Sequence, residues 1–157
     1  MIHVYSDPLL IDFLRICVQM PEDERRQLEA FTGQPYDVDG AAVGNFQVPG
    51  PKWVIKSDDT PLVVGGFVEQ RPGVWRDYML TTPAAWTEHW FPITRICRRI
   101  MDAMLFSGQA HRLECIAHAS RAQAHKWYRV LGYEREAVLR GYCANGDDAV
   151  VFSRVRN

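Results

Sequence analysis

Apolar residues near the N-terminus fall on one helical face. Leu10, Phe13, Leu14, Cys17 and Val18 recur at threes and fours and predict a helix ending near Val18. The alternating Ile2 to Tyr5 predicts a strand before it. Ser6 or Asp7 is then the expected N-cap, with Pro8 at the first helical position. Pro21 restarts a helix in PEDERRQLEAFTG, where early acids suit the positive end of the helix dipole and Gly33 is the expected C-cap. Gly33 to Pro51, rich in glycine and proline, predicts a long excursion over the surface.

The period then changes. Lys52 to Lys56, Leu62 to Gln70 and Val74 to Thr82 predict three strands of an antiparallel meander, with turns at Ser57 to Pro61 and Arg71 to Gly73. Pro83 to Phe91 is aromatic and irregular. From Pro92 onward Ile93, Ile96, Cys97, Ile100, Met101, Met104 and Leu105 predict an amphipathic helix ending at Gly108. Arg112 to His118 predicts a strand, Ser120 to Leu131 a helix, and Ala137 to Cys143 with Val150 to Val155 a closing hairpin about Asn145-Gly146-Asp147. The expected class is α+β: a mixed, mostly antiparallel central sheet of six to seven strands flanked by about four helices, in one domain over residues 1–157. The strand after the long helix should pair in parallel with the last meander strand.

Composition narrows the chemistry. Eighteen Lys and Arg stand against 19 Asp and Glu, and 47% of the 157 residues are hydrophobic. That balance argues against a disordered chain and against a broad nucleic-acid surface, and leaves room for a small anionic ligand. Asp7, Asp12 and Arg15 interrupt the first apolar stretch, so neither a signal peptide nor a membrane span is expected. Cys17, Cys97, Cys115 and Cys143 are scattered singly, as reduced thiols of a cytosolic protein would be. His118 and His125 lie seven residues apart without a third ligand at a metal-binding spacing, so no metal is expected.

Within this order, the segment RLECIAHASRAQAHKWYRVLGYEREA resembles the GCN5-related N-acetyltransferase (GNAT) family, whose helix reads Asn-x-x-Ala-x-x-x-Tyr-x-x-x-Gly-Phe. Counted back from Gly132-Tyr133, the tyrosine position is Tyr128, the alanine is Ala124, and Arg121 replaces the asparagine. The resemblance implies acetyl-CoA as cofactor, an amine acceptor, and Tyr128 as the acid that protonates the departing thiolate. It also implies that the backbone of Met79, Leu80 and Thr81 holds the pantetheine arm, with Glu69 or Asp77 as candidate general base. Tyr128 could equally pack the helix with Trp127 and Leu131, and both carboxylates could be solvated. The family's pyrophosphate loop should fall in Thr82 to Arg95, which contains no glycine; the glycine positions fall near Ile93 and Arg95. Pro92 at the first helical position would leave the amides of Ile93, Thr94 and Arg95 free, with Arg95 and Arg98 adding charge.

MPEDERRQLEA, DYMLTTP and AHKWYRVLGYERE together are similar to acetyltransferase-like internal virion or head-associated proteins of short-tailed phages, which keep the fold without the glycine loop. That likeness implies a phage protein in the host cytoplasm or the virion, with an assembly or host-directed role and a phage or host protein partner. Trp53, Trp75, Trp86 and Trp90, if exposed, would supply a homo-oligomer interface.

Overall fold

The computed structural model describes residues 1–157. Its seven strands are β1 (Ile2–Ser6), β2 (Lys52–Ser57), β3 (Thr60–Arg71), β4 (Val74–Thr81), β5 (Arg112–His118), β6 (Glu134–Leu139) and β7 (Ala149–Val155). They form one sheet in the order β1-β2-β3-β4-β5-β7-β6. Six helices accompany it: α1 (Leu10–Val18), α2 (Glu22–Thr32), α3 (Val38–Gln47), α4 (Pro83–Thr87), α5 (Trp90–Phe106) and α6 (Ala122–Val130).

Alternation along the central strands feeds two cores. Ile55 of β2 and Val63 of β3 point to the face that buries Cys97 and Met101 of α5 and Trp127 of α6. Their neighbours Val54 and Val64 point the other way, onto Phe13, Ile16 and Cys17 of α1 and Ala42 of α3. A sheet covered on both faces explains why β2 and β3 read as nearly continuous apolar runs.

Every strand pair is antiparallel except β4 with β5. The parallel pairing joins Val74 to Arg112, Trp75 to Leu113 and Arg76 to Glu114, and goes no further. Beyond it β4 stays with β3 as far as Thr81 opposite Val63, and β5 stays with β7 as far as His118 opposite Ala149. Each half-sheet keeps its own antiparallel ladder, so right-handed twist opens a wedge between them.

Several predicted elements are corrected. Residues 38–47, expected to wander over the surface, form α3, because Asp37 caps it through the Gly40 amide at 2.7 Å and Ala42 is fully buried against α1. The N-cap of α1 is Leu9, not Ser6 or Asp7; Asp12 accepts the Leu9 amide at 3.0 Å and pairs with Lys56 at 2.7 Å. Pro83–Thr87 is helical, and α5 begins at Trp90 rather than Pro92. β6 begins at Glu134, ahead of the expected Ala137; it is a mostly exposed edge strand whose polar residues hide the alternation. Trp53 is buried and Trp75 packs partly under the core, which leaves Trp90, 48% exposed, as the outward tryptophan.

Candidate active site

The wedge between β4 and β5 opens into a cleft of about 390 Å³. Its walls are Asp77 to Leu80 of β4, Cys115 and Ile116 of β5, and Tyr128 of α6, with Gln27, Leu28 and Phe31 of α2 closing the far side. A short loop delivers Tyr128: β5 ends at His118, and α6 runs back along the sheet from Ala122. The Tyr128 ring is wedged by Phe152 at 5.2 Å and Trp127 at 6.2 Å between centroids. Tyr128 is buried among these rings yet lines the cleft. Burial raises its pKa, opposed by the nearby Arg121 guanidinium. It is therefore a protonated donor at neutral pH.

Asp77 faces the same cleft. Burial pushes its carboxyl up to about 7, against the lowering effect of the hydrogen bond that the Tyr133 hydroxyl donates and of the Arg154 charge. A carboxyl balanced near neutrality can take up or release a proton at working pH. Glu69 does not join it: its side chain is exposed at the end of β3 and accepts the Gly73 amide at 3.3 Å across the turn.

The expected cofactor residues divide. Met79 and Leu80 line the cleft, though the Leu80 side chain packs into the core beneath α1. Thr81 is engaged by the protein itself. Glu24 of α2 accepts its amide at 3.0 Å and its hydroxyl, while Trp86 Nε1 donates to that hydroxyl at 2.7 Å. The α5 start overturns the expectation of free amides at Ile93, Thr94 and Arg95. Because the helix begins at Trp90, the Ile93 amide donates to the His89 carbonyl at 3.1 Å, and the next two amides fall inside the helical ladder. Ile93 and Thr94 are also buried, and the Thr94 hydroxyl donates to Trp90 O at 2.6 Å and accepts Trp127 Nε1 at 2.8 Å.

Arg95 and Arg98 remain outside. With Trp90, Phe91 and Arg99 they line a cavity of about 380 Å³, and the Arg95 guanidinium sits 5.6 Å from the Phe91 ring centre. A neighbouring cavity of about 670 Å³ shares Trp90 and continues along Trp86, Trp127 and Lys126 to Arg121. Trp86, within the glycine-free segment Thr82 to Arg95, meets Trp127 of α6 edge to face at 4.9 Å. Arg121 borders both this cavity and the wedge. It pairs with Asp23 at 2.9 Å and Glu24 at 3.8 Å, and donates to Gln27 at 3.2 Å. Sequence reasoning missed Glu24 and Tyr133: the early acids of α2 signal only a helix start, and no local pattern ties residue 24 to 81 or 133 to 77.

All four cysteines are free and buried. No three His, Cys, Asp or Glu side chains converge at metal-binding spacing, and no helix is long and apolar enough to cross a membrane.

No family model and no curated protein matches the chain. Solved structures do. RimL, a ribosomal L7/L12 α-N-protein acetyltransferase in complex with coenzyme A, superposes with a TM-score of 0.75 at 9% identity, over 99% of this chain and 94% of that one. A GNAT-family acetyltransferase from Bacillus anthracis gives 0.71 at 7% identity, over 97% and 94%. Another from Streptococcus pneumoniae gives 0.68 at 12% identity, over the whole of both chains. The protein has the GNAT fold.

Proposed function

We propose that the protein is an N-acyltransferase that takes its acyl group from acetyl-CoA and delivers it to an amine. The observation that carries this reading is the parting of β4 from β5 immediately beyond Arg76 and Glu114, with Tyr128 and Asp77 both lining the wedge. Asp77 would take a proton from the incoming ammonium group, so that a neutral amine attacks the thioester carbonyl. Collapse of the tetrahedral adduct expels a thiolate, and Tyr128, held as a phenol, supplies its proton.

The residues present fit the coenzyme in part. Arg95, Arg98 and Arg99 offer charge to its phosphates, and Trp86, Trp90 and Trp127 line an apolar approach ending at Arg121. Arg121 borders both that approach and the wedge and stands 3.8 Å from Glu24, a pair that would have to part for a pantetheine arm to pass between them. The coenzyme would supply the activated acyl thioester; the chain's own residues bind, orient and move protons.

A second reading keeps the fold without the chemistry: a binding protein of phage type, acting in assembly or on a host protein. It is favoured by the engagement of the Thr81 amide by Glu24 and by the absence of glycine from Thr82 to Arg95, where Trp86 and Trp90 stand. Calorimetry and thermal unfolding with coenzyme A and acetyl-CoA separate the two. A coenzyme at about a hundred times its Kd stabilises the native state by about 2.7 kcal/mol. Under the transferase reading the midpoint rises, and the rise shrinks in Arg95→Ala and Arg98→Ala. No shift at millimolar coenzyme overturns it in favour of the binding protein.

A further inference from the structure

Beside the wedge, and sharing Gln27 and Arg121 with it, lies a second concavity, about 820 Å³ in volume and polar, with Ala30 as its one hydrophobic lining residue. Neither Tyr128 nor Asp77 reaches it. Three of its residues form a hydrogen-bonded series. Ser120 Oγ lies 2.7 Å from His118 Nδ1, and His118 Nε2 lies 2.9 Å from Asp147 Oδ2.

The surrounding hydrogen bonds assign the protons. The Ser120 backbone N–H donates to His118 Nδ1 at 3.1 Å, so in the tautomer that this bond requires Nδ1 is the accepting nitrogen. The ring proton therefore sits on Nε2 and is donated to Asp147. Only the hydroxyl proton of Ser120 then remains to satisfy the 2.7 Å contact, and it points at a base. Asp147 is anchored in turn: Asn145 Nδ2 donates to its Oδ2 at 2.9 Å, and Asn145 Oδ1 accepts its amide at 3.0 Å. These bonds, with His118 first, hold its carboxyl below the usual carboxylate range. The His118 main chain is held as well, since its backbone N–H donates to Gln27 Oε1 at 2.9 Å.

We propose that Ser120 is a nucleophile toward polar carboxylic esters, with His118 as its general base and Asp147 as the residue that positions the imidazole. The Ser120 Oγ–carbonyl bond forms as the hydroxyl proton passes to His118 Nδ1. The ester C–O bond then breaks, and the leaving alkoxide takes that proton from Nδ1. A water attacks the acyl-serine, gives its proton to Nδ1, and the acid departs as Ser120 recovers the proton. The order of ring nitrogens is set by the turn that joins the serine to the histidine two residues before it. Arg26 and Arg121 also line the concavity; Arg121 is held by Asp23 at 2.9 Å, whereas Arg26 is paired only with the exposed Glu22 at 2.6 Å and would turn from it to meet a carbonyl oxyanion. Coenzyme A takes no part, so this activity stands or falls independently of the transferase reading.

A serine that merely closes a turn would be inert to serine-directed reagents. The full-length protein is incubated with a fluorophosphonate, in which Oγ displaces fluoride from phosphorus, and the product is read by intact mass and peptide mapping. The expected result is a single adduct on Ser120, absent in Ser120→Ala. Labelling should be roughly a hundredfold slower in His118→Ala and recover with added imidazole, and at least about tenfold slower in the near-isosteric Asp147→Asn at an unchanged thermal midpoint. Hydrolysis of p-nitrophenyl acetate should follow the same ranking. Absence of a Ser120 adduct at millimolar reagent, or equal labelling rates in wild type and Asp147→Asn, overturns the proposal.

Discussion

Glu24 Oε2 accepts the Thr81 amide at 3.0 Å while its other oxygen takes the Thr81 hydroxyl, so a residue of α2 terminates the open edge of β4. Both residues are buried, and Arg121 stands 3.8 Å behind the carboxylate. Burial pushes the Glu24 carboxyl above its ordinary value, against the opposing pull of Arg121 and the two bonds from Thr81.

Removing one partner of such a buried group leaves the others stranded. Glu24→Ala orphans the Thr81 amide and weakens the hold on Arg121, and should cost about 3 kcal/mol of stability in urea unfolding. Glu24→Gln keeps an acceptor for the amide and should cost less. Hydrogen exchange at Thr81 should quicken in Glu24→Ala and stay protected in the glutamine variant.

Asp77 sets a pH dependence whose sign follows from its raised pKa. Between its ordinary value of 3.8 and about 7, the folded protein holds a proton that the unfolded chain has released, so this residue's contribution to stability falls as pH rises through that window. Asp77→Asn remains neutral and can still accept from Tyr133. Its thermal midpoint should therefore gain on wild type as pH is raised from 5 to 8, a comparison made by paired unfolding scans. A gap that stays constant with pH would refute the assignment. If Asp77 is the base of the proposed transfer, kcat/KM should rise with pH through an apparent pKa near 7.

Tyr128→Phe keeps the ring that packs on Phe152 and Trp127 and deletes only the hydroxyl. Under the transferase reading, turnover should fall by roughly 10²- to 10⁴-fold while the coenzyme-induced shift in midpoint survives. Steady-state thiol release, with thermal unfolding alongside, checks both halves.

Thr94 shows how the start of α5 trades ligand donors for packing. Thr94→Val removes the acceptor of the buried Trp127 Nε1 and should destabilise by about 1–3 kcal/mol, measured by urea unfolding. Thr94→Ser, which retains the oxygen, should lose much less.

The sequence by itself determined the order of the seven strands and of four helices, α1, α2, α5 and α6. Gly33 does end α2 in the left-handed conformation, at φ 69°, and β5 does pair in parallel with β4, because caps, turns and side-chain periods are local properties. It also named Tyr128 and Asp77, which the folded chain brings to one cleft. It could not separate Asp77 from Glu69. Both are carboxylates on neighbouring meander strands, and only the packed sheet buries one and leaves the other at a solvent-facing turn. Tertiary structure likewise decided that residues 38–47 are helical, through burial of Ala42 against α1. It moved the start of α5 back to Trp90, where Ile93 and Thr94 join the core and the expected free amides are lost. The contacts of Glu24 with Thr81 and of His118 with Asp147 join residues far apart along the chain. Such contacts depend on the twist and splay of two half-sheets, which no spacing within a single segment encodes.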